Sequence, residues 1–591
     1  MIRPRRSLNS LLLFICTAPA ILSQTPPPAA SSFRITGTVV STTIGSPIPH
    51  CHLVPTLIER GPNTTRRIAQ QDGADTDEQG HFVIQLPSAG SWSLRASARG
   101  YRAQLYDQHE NFSSAIVLTQ QTPTLDLLFR IAPDSAITGV ILDEGSEPVR
   151  QAQVSVFAVP HAGADGSQAN RSRSFVTTDD RGHYEVAGLA PGDYRISVSA
   201  RPWYAQATQS FRGQQRPDTP QLEPSLDVVY PTTWFPGTTS EDTAETVTLL
   251  DGETRQADMQ LLPIPSVHLR IPLPASETTA PDGTRRPVPF PQVSNISGNG
   301  LSGIAMSTGQ GQLDVGGLSP GTYRVQAQDE NGRPGRSTIV EVTANSARTI
   351  DLAAVATTAT VNLKIDGGPG TESLPVTFVD ANNERKVFRS GPAGEGGFNR
   401  MLGFQGGPLQ NGQPMQPSAQ PSTQPKSQSS SDRATRIVDL APGSYLVYQN
   451  GSANFFLSGM TLGTKQIPGR KVTIPSGESS LTIHIATGRA TISGIATKDS
   501  KPDPGAMVLL VPITMNEPGT IAELRRDQTN TDGSYDLDFV IPGQYILIAI
   551  DHGWNINWSD PATLSHYLSN GIPLDLSNPS TIKQNIEAQR P

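Results

Sequence analysis

The chain is poor in cysteine and has no lysine over its first half. Its two cysteines are Cys16 and Cys51, and Cys16 lies in a predicted export signal. A mature chain with a single cysteine can form no internal disulfide. No lysine precedes Lys364, so lysine-based isopeptide crosslinks and lysine chemistry are excluded from everything before that residue.

Charged residues and catalytic motifs are also scarce. Charged residues make up 17% of the chain, below the usual quarter, and the net charge of −8 comes without a basic stripe. This excludes an electrostatic surface for nucleic acid. None of the 10 histidines begins a His-x-x-Glu pair, and the chain contains no P-loop. We therefore expect no enzyme, no catalytic residues and no cofactor.

Turn residues are abundant instead, with 53 Gly and 51 Pro, and they recur in one phrase. Successive copies of Pro-Gly-x-Tyr are about 100 to 130 residues apart, the size of one small β-domain. The copies are Pro191–Tyr194, Pro320–Tyr323, Pro442–Tyr445 and Pro542–Tyr545, with a degenerate copy at Ala89–Trp92.

The phrase predicts a turn followed by a strand. Pro presets φ for a turn, Gly accepts the positive φ of a type II turn, and apolar and polar residues then alternate from the aromatic onward. We therefore expect Tyr194 and its equivalents to be core residues, with any function in the loops beyond them. The last copy, Tyr545–Ile550, is apolar on both faces, which predicts a strand covered on each side. One short helix is predicted at Ala562–Leu568, capped by Asp560.

Three further phrases surround each turn in the same order. An opening strand contains Ile-Thr-Gly, where a glycine inside a strand indicates a bulge or a close backbone approach. A Val-Pro strand follows, and then an Asp-Gly hairpin, at Thr76–Phe82, Thr178–Tyr184 and Thr531–Tyr535. This order resembles the carboxypeptidase regulatory-like, or transthyretin-like, β-sandwich of many secreted bacterial proteins. The resemblance implies a sandwich fold with a supporting or binding role, and it implies no catalytic residues.

The predicted fold is all-β, a tandem array of about five Greek-key or transthyretin-like β-sandwich modules with a disordered insertion. The resemblance is strong in modules 1, 2 and 5, whereas modules 3 and 4 are either diverged copies or another sandwich. The insertion, rich in Gly, Pro, Gln and Ser, cannot bury enough to fold. The predicted boundaries are 24–32 for a Pro/Ala-rich linker, 33–131 for module 1, 132–262 for module 2, 263–353 for module 3, 354–487 for module 4 with the insertion at 391–433, and 488–591 for module 5.

Residues 1–23 are predicted to be a signal peptide. Arg3, Arg5 and Arg6 form a basic region, Leu11–Cys16 an apolar one, and small residues follow as cleavage sites. The apolar run is too short to span a bilayer. We expect a secreted, periplasmic or outer-surface protein with no integral membrane segment after cleavage.

Six aromatic residues outside the strand phrases are the predicted ligand-binding residues. Their flat apolar faces suit sugar rings or protein partners, although they could instead cap the open ends of the sandwich cores. They are Trp203, Tyr204, Trp234, Phe235, Trp554 and Trp558. No metal site is expected, because His50-Cys51-His52 lacks a nearby third ligand and turn chemistry explains the Asp-rich hairpins.

Three functions remain open from the sequence. The first is a non-enzymatic scaffold or spacer at the cell surface, with a cell-envelope protein as its partner. The second is carbohydrate binding by loop aromatics, since the sandwich is similar to starch-binding-like modules, with a polysaccharide as its partner. The third is an accessory component of an exported enzyme or transporter.

Overall fold

A computed structural model describes most of the chain between residue 33 and its C-terminus. The described ranges are 33–61, 64–159, 173–205, 223, 225–272, 277–279, 285–287, 291–295, 305–309, 312–328, 334–343, 349–351, 359–371, 374–381, 387–390, 435–449 and 454–591. The predicted signal peptide, the linker and the insertion 391–433 lie outside these residues.

Module 1 packs two sheets around a core that includes Trp92 and Phe129. The sheet order is β5-β1-β9 in one layer and β3-β2-β6-β7 in the other, where β4 pairs with β2 and β8 with β6. Its strands are β1 (Phe33–Ser41), β2 (His52–Gly61), β3 (Thr64–Gln70), β4 (Ala74–Asp75), β5 (His81–Leu86), β6 (Gly90–Ser97), β7 (Gln104–Leu105), β8 (Ile116–Leu118) and β9 (Thr124–Ile131).

Module 2 repeats this plan around its own core. Its strands are β10 (Ser135–Leu142), β11 (Gln153–Ala158), β12 (Arg173–Thr177), β13 (His183–Leu189), β14 (Gly192–Ser199), β15 (Val228–Val229), β16 (Thr233–Trp234), β17 (Val247–Leu249), β18 (Thr254–Gln256) and β19 (Met259–Gln260). One layer is β13-β10-β18 with β19 beside β10, and the other is β12-β11-β14-β16 with β17 beside β14.

The described residues of module 3 include a core of their own. Its strands are β20 (Ile264–Pro265), β21 (Val267–Pro272), β22 (Glu277–Thr279), β23 (Arg285–Pro287), β24 (Gln292–Asn295), β25 (Ala305–Gly309), β26 (Gln312–Leu318), β27 (Gly321–Gln328), β28 (Pro334–Val342) and β29 (Thr349–Asp351). The layers are β25-β26-β21-β29 and β24-β27-β28, and β20 pairs back with β15 of module 2.

Module 4 forms two sheets, β33-β30-β38-β35-β36 and β32-β31-β34-β37, around its core. Its strands are β30 (Ala359–Asp366), β31 (Val376–Asp380), β32 (Val387–Ser390), β33 (Thr435–Leu440), β34 (Gly443–Gln449), β35 (Phe455–Leu462), β36 (Lys465–Ile467), β37 (Lys471–Ile474) and β38 (Gly477–Thr487).

Module 5 packs the sheet β40-β39-β43 against β42-β41-β44-β45, with β46 and β47 beside β39. The predicted helix, α1 (Pro561–Leu568), covers the outer face of β41 and β44, so β44 is buried on both sides as expected. Asp560 caps the helix by accepting from the backbone N–H of Ala562 and of Thr563, each at 3.1 Å. The strands are β39 (Ala490–Lys498), β40 (Lys501–Pro502), β41 (Met507–Pro512), β42 (Arg525–Gln528), β43 (Ser534–Val540), β44 (Gln544–Ile550), β45 (Ile572–Asp575), β46 (Thr581–Lys583) and β47 (Ile586–Glu587).

All five modules share one pairing rule, including the diverged modules 3 and 4. One strand of each module (β1, β10, β21, β30 or β39) pairs antiparallel with the strand before the aromatic-containing turn and parallel with a closing strand. The chain is therefore a β-sandwich repeat protein, and the predicted all-β fold class is confirmed.

The tyrosine of the Pro-Gly-x-Tyr phrase is buried in each copy and hydrogen-bonded in the same way. Its hydroxyl donates to the carbonyl oxygen four residues earlier, at 2.7 Å for Tyr194, 2.8 Å for Tyr323 and 2.6 Å for both Tyr445 and Tyr545. The phenol thus locks the turn that precedes its own strand. Trp92 replaces it in module 1, fully buried.

The glycine of the opening-strand phrase accommodates a close backbone approach, as predicted. A Cβ on Gly139 would lie 2.3 Å from the carbonyl oxygen of Ala257 and 2.9 Å from the ring of Tyr184. The Tyr184 hydroxyl donates to that same carbonyl oxygen at 2.6 Å. Gly37 and Gly494 also closely approach a backbone carbonyl oxygen, that of Leu127 and that of Gln584 respectively.

The hairpin phrase is held by a threonine in modules 1, 2 and 5. In modules 1 and 2 the hydroxyls of Thr76 and Thr178 donate to a carbonyl and accept from a backbone N–H of the preceding loop. In module 5 these two bonds are made by Thr529, not by Thr531. The threonine stands at the same distance before the hairpin aromatic in all three copies, so Thr529 is the residue equivalent to Thr76 and Thr178.

Candidate functional sites

The six predicted site residues lie in three different environments. Trp203 and Tyr204 form an exposed corner on module 2, Trp234 and Phe235 pack into module 2, and Trp554 and Trp558 face module 1. The six do not form one surface.

The exposed corner combines two perpendicular rings with a carboxylate. Trp203 is 88% exposed, and its ring lies 5.7 Å from that of Tyr204 at 87°. The Tyr204 hydroxyl donates to Glu144 Oε1, and the hydroxyl of Tyr230 donates to Glu144 Oε2 at 2.7 Å. Desolvation alone would raise the pKa of Glu144, but the two phenol hydrogen bonds bring it below its usual value. The corner is therefore an apolar face beside an ionised, oriented carboxylate.

Trp234 and Phe235 are part of the module 2 fold. Trp234 is 5% exposed, pairs with Ser197 of β14 and lies 5.5 Å from the ring of Phe157. Phe235 packs against the module 2 core. Both residues therefore contribute to the packing of module 2.

Trp554 and Trp558 belong to a contact between module 5 and module 1. The Trp554 indole donates to the carbonyl oxygen of Gly505 at 2.8 Å, and its ring stacks on that of His109 at 5.2 Å and 9°. Trp558 is 5% exposed and lies under the guanidinium of Arg526, whose central carbon is 3.6 Å from the ring centroid. Both tryptophans thus shape the module 5 face against module 1.

Arg526 and the loop 105–115 of module 1 form the charged centre of this contact. Arg526 Nη2 donates to Glu110 Oε2 at 2.8 Å and Nη1 donates to Oε1 at 3.3 Å. The guanidinium also lies 5.0 Å from the ring of Phe112. A bidentate carboxylate pair flanked by aromatic rings is specific to arginine, because a lysine ammonium cannot reproduce the planar fork.

A row of hydrogen bonds continues the contact along the module 5 hairpin. Ala115 donates its backbone N–H to Asn530 Oδ1 at 3.0 Å, and the N–H of Thr531 donates to the Ala115 carbonyl oxygen at 3.0 Å. Val117 N–H donates to Thr531 Oγ1 at 2.9 Å. Ser114 Oγ donates to the carbonyl oxygen of Thr529 at 2.8 Å. These bonds resemble the edge pairing of two strands and fix the register of the two modules.

The hairpin of module 5 differs from its copies at the positions that touch module 1. Asp77 and Asp179 each accept two backbone N–H groups within their own hairpins. Asn530 stands at the equivalent position, and its Oδ1 accepts from module 1 instead. The replacement of the turn aspartate by an amide therefore supplies a group for the contact.

Sequence reasoning missed this contact, although one signal was present. The offset of the Thr-Asp phrase in module 5 marked a hairpin that departs from the repeat. Which module it would face depends on the relative placement of all five modules, and no local pattern encodes that placement.

The candidate metal residues have structural partners. His52 Nδ1 lies 2.8 Å from Asp75 Oδ1, and His50 lies 3.4 Å from Glu78. Cys51 between them is buried, and its burial raises the pKa of the thiol to about 11. Within the described ranges, no three His, Cys, Asp or Glu side chains are grouped so that they could hold a metal ion. Over the same residues, no helix is both long and apolar enough to cross a membrane.

Residues 136–262 match the family model of the carboxypeptidase regulatory-like domain, which confirms the resemblance for module 2. No curated protein matches the chain.

Similar solved structures include two pilins and a protein of Bacillus anthracis. The minor pilin GBS52 of Streptococcus agalactiae is 12% identical, with 40% of this chain and 97% of that chain covered at a TM-score of 0.21. The shaft pilin SpaA of Lactobacillus rhamnosus GG is 12% identical, with 40% and 98% covered at 0.19. The TIE protein of Bacillus anthracis is 10% identical, with 96% and 76% covered at 0.15. Likenesses at such low TM-scores carry no information on what this chain binds.

Proposed function

We propose that the chain is a non-enzymatic, secreted or cell-surface interaction scaffold whose first and last modules are fastened together. The observation that carries this proposal is the contact between the 105–115 loop of module 1 and the Arg526–Thr531 segment of module 5. Asn530 accepts a hydrogen bond from module 1, whereas the equivalent Asp77 and Asp179 accept hydrogen bonds within their own hairpins. A scaffold with fastened ends presents its loops at fixed spacings, which a flexible string of modules cannot do.

Contacts at the other junctions support the same function. The backbone N–H of Arg102 in module 1 donates to the Ala132 carbonyl oxygen at 3.0 Å, at the start of module 2. Ile339 of module 3 packs against the module 4 core. Arg489, between modules 4 and 5, donates to the carbonyl oxygen of Phe539 at 2.8 Å and also to that of Phe455. Each module is therefore held by its neighbours as well as by its linker.

The proposal is tested by the dimensions of the full chain in solution. Small-angle scattering should give a compact particle for the unsubstituted chain and a larger radius of gyration for the double variant Glu110→Ala, Arg526→Ala. The control is Arg34→Ala, an exposed arginine of β1 away from the contact. An unsubstituted chain as extended as the double variant would refute a fastened scaffold.

A second candidate function, carbohydrate binding, is favoured by the exposed corner on module 2. An exposed tryptophan face stacks on sugar rings, and the ionised Glu144 beside it can accept hydrogen bonds from sugar hydroxyls. The test is a pull-down of the full chain on insoluble polysaccharides with Trp203→Ala. Phe175, 59% exposed in the same module and outside the corner, provides the control Phe175→Ala. Binding that is absent, or that both variants retain, rules out this function for the corner.

A further inference from the structure

We propose that the contact between modules 1 and 5 also joins separate copies of this chain, with the 105–115 loop of one copy seated on the Arg526–Trp558 face of another. This inference rests on the proposed scaffold, because it uses the same two surfaces. The partner it commits to is a second copy of the chain.

The first argument is that chain connectivity takes no part in the contact. The bonded groups are more than 400 residues apart, for instance Glu110 and Arg526 with a separation of 416. Every hydrogen bond, the charge pair and the ring stacking can form with the same geometry whether the two modules belong to one copy or to two. Exchange of identical elements between protomers is a low-cost route to association.

The second argument is that the two faces are unlike each other and specific. Module 1 offers a loop with a carboxylate, a histidine and a phenylalanine ring, whereas module 5 offers a guanidinium, two indoles and an amide. Such a pairing is heterologous, because the two surfaces differ. A copy in which modules 1 and 5 have separated, here called an open copy, therefore exposes one surface of each kind. Two open copies satisfy all faces by closing on each other, and further copies extend the array.

The third argument concerns what an open copy exposes. Gln528, Thr529 and Asn530 are almost fully buried, and Arg526 has 11% of its side chain exposed. Gln528 Nε2 donates to Ser114 Oγ at 3.0 Å, so module 1 satisfies it too. The 105–115 loop presents the complementary carboxylate, rings and backbone groups. The loop of another copy is therefore the matching occupant.

Concentration decides between the two arrangements. A tethered partner acts at an effective concentration in the millimolar range, so dilute chains close on themselves. Dense display on a surface, or refolding at high concentration, favours pairing between copies.

A charge exchange across the contact tests the inference in the full chain. Glu110→Arg and Arg526→Glu each place like charges together, so each variant alone should be open and monomeric. An equimolar mixture should form a complex at least about tenfold tighter than either variant with itself, because opposite charges then meet only between copies. The double variant Glu110→Arg, Arg526→Glu carries both changes in one chain and should be a closed monomer again.

The outcomes separate the two proposals. A closed double variant with no complex in the mixture, by light scattering and analytical ultracentrifugation, overturns pairing between copies and leaves the scaffold intact. Should the double variant stay open, the unsubstituted chain decides. Refolded at high concentration, it should yield dimers that dissociate slowly after dilution, whereas monomers alone at every concentration overturn the inference.

Discussion

Arg526 and Glu110 lie 416 positions apart in the chain and form a bidentate pair, with Nη2–Oε2 at 2.8 Å and Nη1–Oε1 at 3.3 Å. The guanidinium is enclosed by the rings of Phe112 and Trp558. The pair therefore depends on the planar shape of arginine as well as on its charge.

We expect Arg526→Lys to weaken the contact although it keeps the charge. A lysine cannot make both hydrogen bonds to Glu110, and the loss should be about 2 kcal/mol in the closing equilibrium. Hydrogen exchange of the 105–115 loop should accelerate accordingly, while exchange in the module 2 strands stays unchanged. An unaltered rate in the loop would mean that charge alone holds the contact.

The tyrosines of the Pro-Gly-x-Tyr turns should each stabilise modules 2 to 5 by a similar amount. Tyr445→Phe removes the 2.6 Å hydrogen bond to the Ala441 carbonyl oxygen and leaves that group without this donor. We expect a loss of about 1 kcal/mol, read from the thermal unfolding of the full chain and from hydrogen exchange in β34. Tyr101→Phe, at a partly buried tyrosine of module 1 outside the Pro-Gly-x-Tyr turns, is the control and should change stability by less than about 0.5 kcal/mol. Equal effects at both positions would contradict a specific role for the turn bond.

Gly139→Ala should destabilise module 2 strongly. The added methyl would lie 2.3 Å from a backbone oxygen that cannot move without breaking the closing strand. We expect the free energy of unfolding to fall by about 3 kcal/mol, measured by urea unfolding. Gly459→Ala is the comparison, because a Cβ there meets nothing within 4 Å. Similar stabilities for the two variants would show that the strands can separate at no cost.

The junction of modules 2 and 3 should loosen as the pH rises. His268 Nδ1 lies 2.9 Å from Asp314 Oδ1 and Nε2 lies 3.1 Å from Asp227 Oδ2, while Ser266 donates to Asp227. The bond to Asp314 raises the pKa of His268 against the opposing effect of burial, and Asp227 adds to the increase. Because the folded pKa is the higher one, this stabilisation is complete below the ordinary value of about 6.5 and is lost as the pH rises through the raised pKa.

Thermal unfolding between about pH 6 and about pH 9 measures this effect. The unsubstituted chain should lose stability over that range relative to His268→Gln, whose profile should be flatter. His183→Gln, at an exposed histidine of module 2, should follow the unsubstituted chain. A profile for His268→Gln parallel to that of the unsubstituted chain would contradict the assignment.

Features that recur in several modules could be predicted from the sequence, whereas features that occur in one module only could not. The core position of the turn tyrosines was predictable because the strand after each turn begins with an inward-facing aromatic. These residues are Tyr194, Tyr323, Tyr445 and Tyr545. The close backbone approach at Gly139 was predictable because a glycine inside a strand indicates such an approach or a bulge. The tryptophans could not be sorted, since Trp203 is 88% exposed and Trp234 is 5% exposed although each is followed by another aromatic residue. Their environments depend on which strand or module covers them, and that information is not local.

The fastened ends constrain how the array can change in length. In an open string, a module can be gained or lost while the others keep their places. Here the 105–115 loop must arrive at Asn530 and Arg526 after the chain has passed through three intervening modules. The angles between successive modules together decide whether module 5 reaches module 1. An inserted or deleted module therefore breaks the contact unless the other angles change as well. The number of modules therefore determines whether the contact between modules 1 and 5 can form.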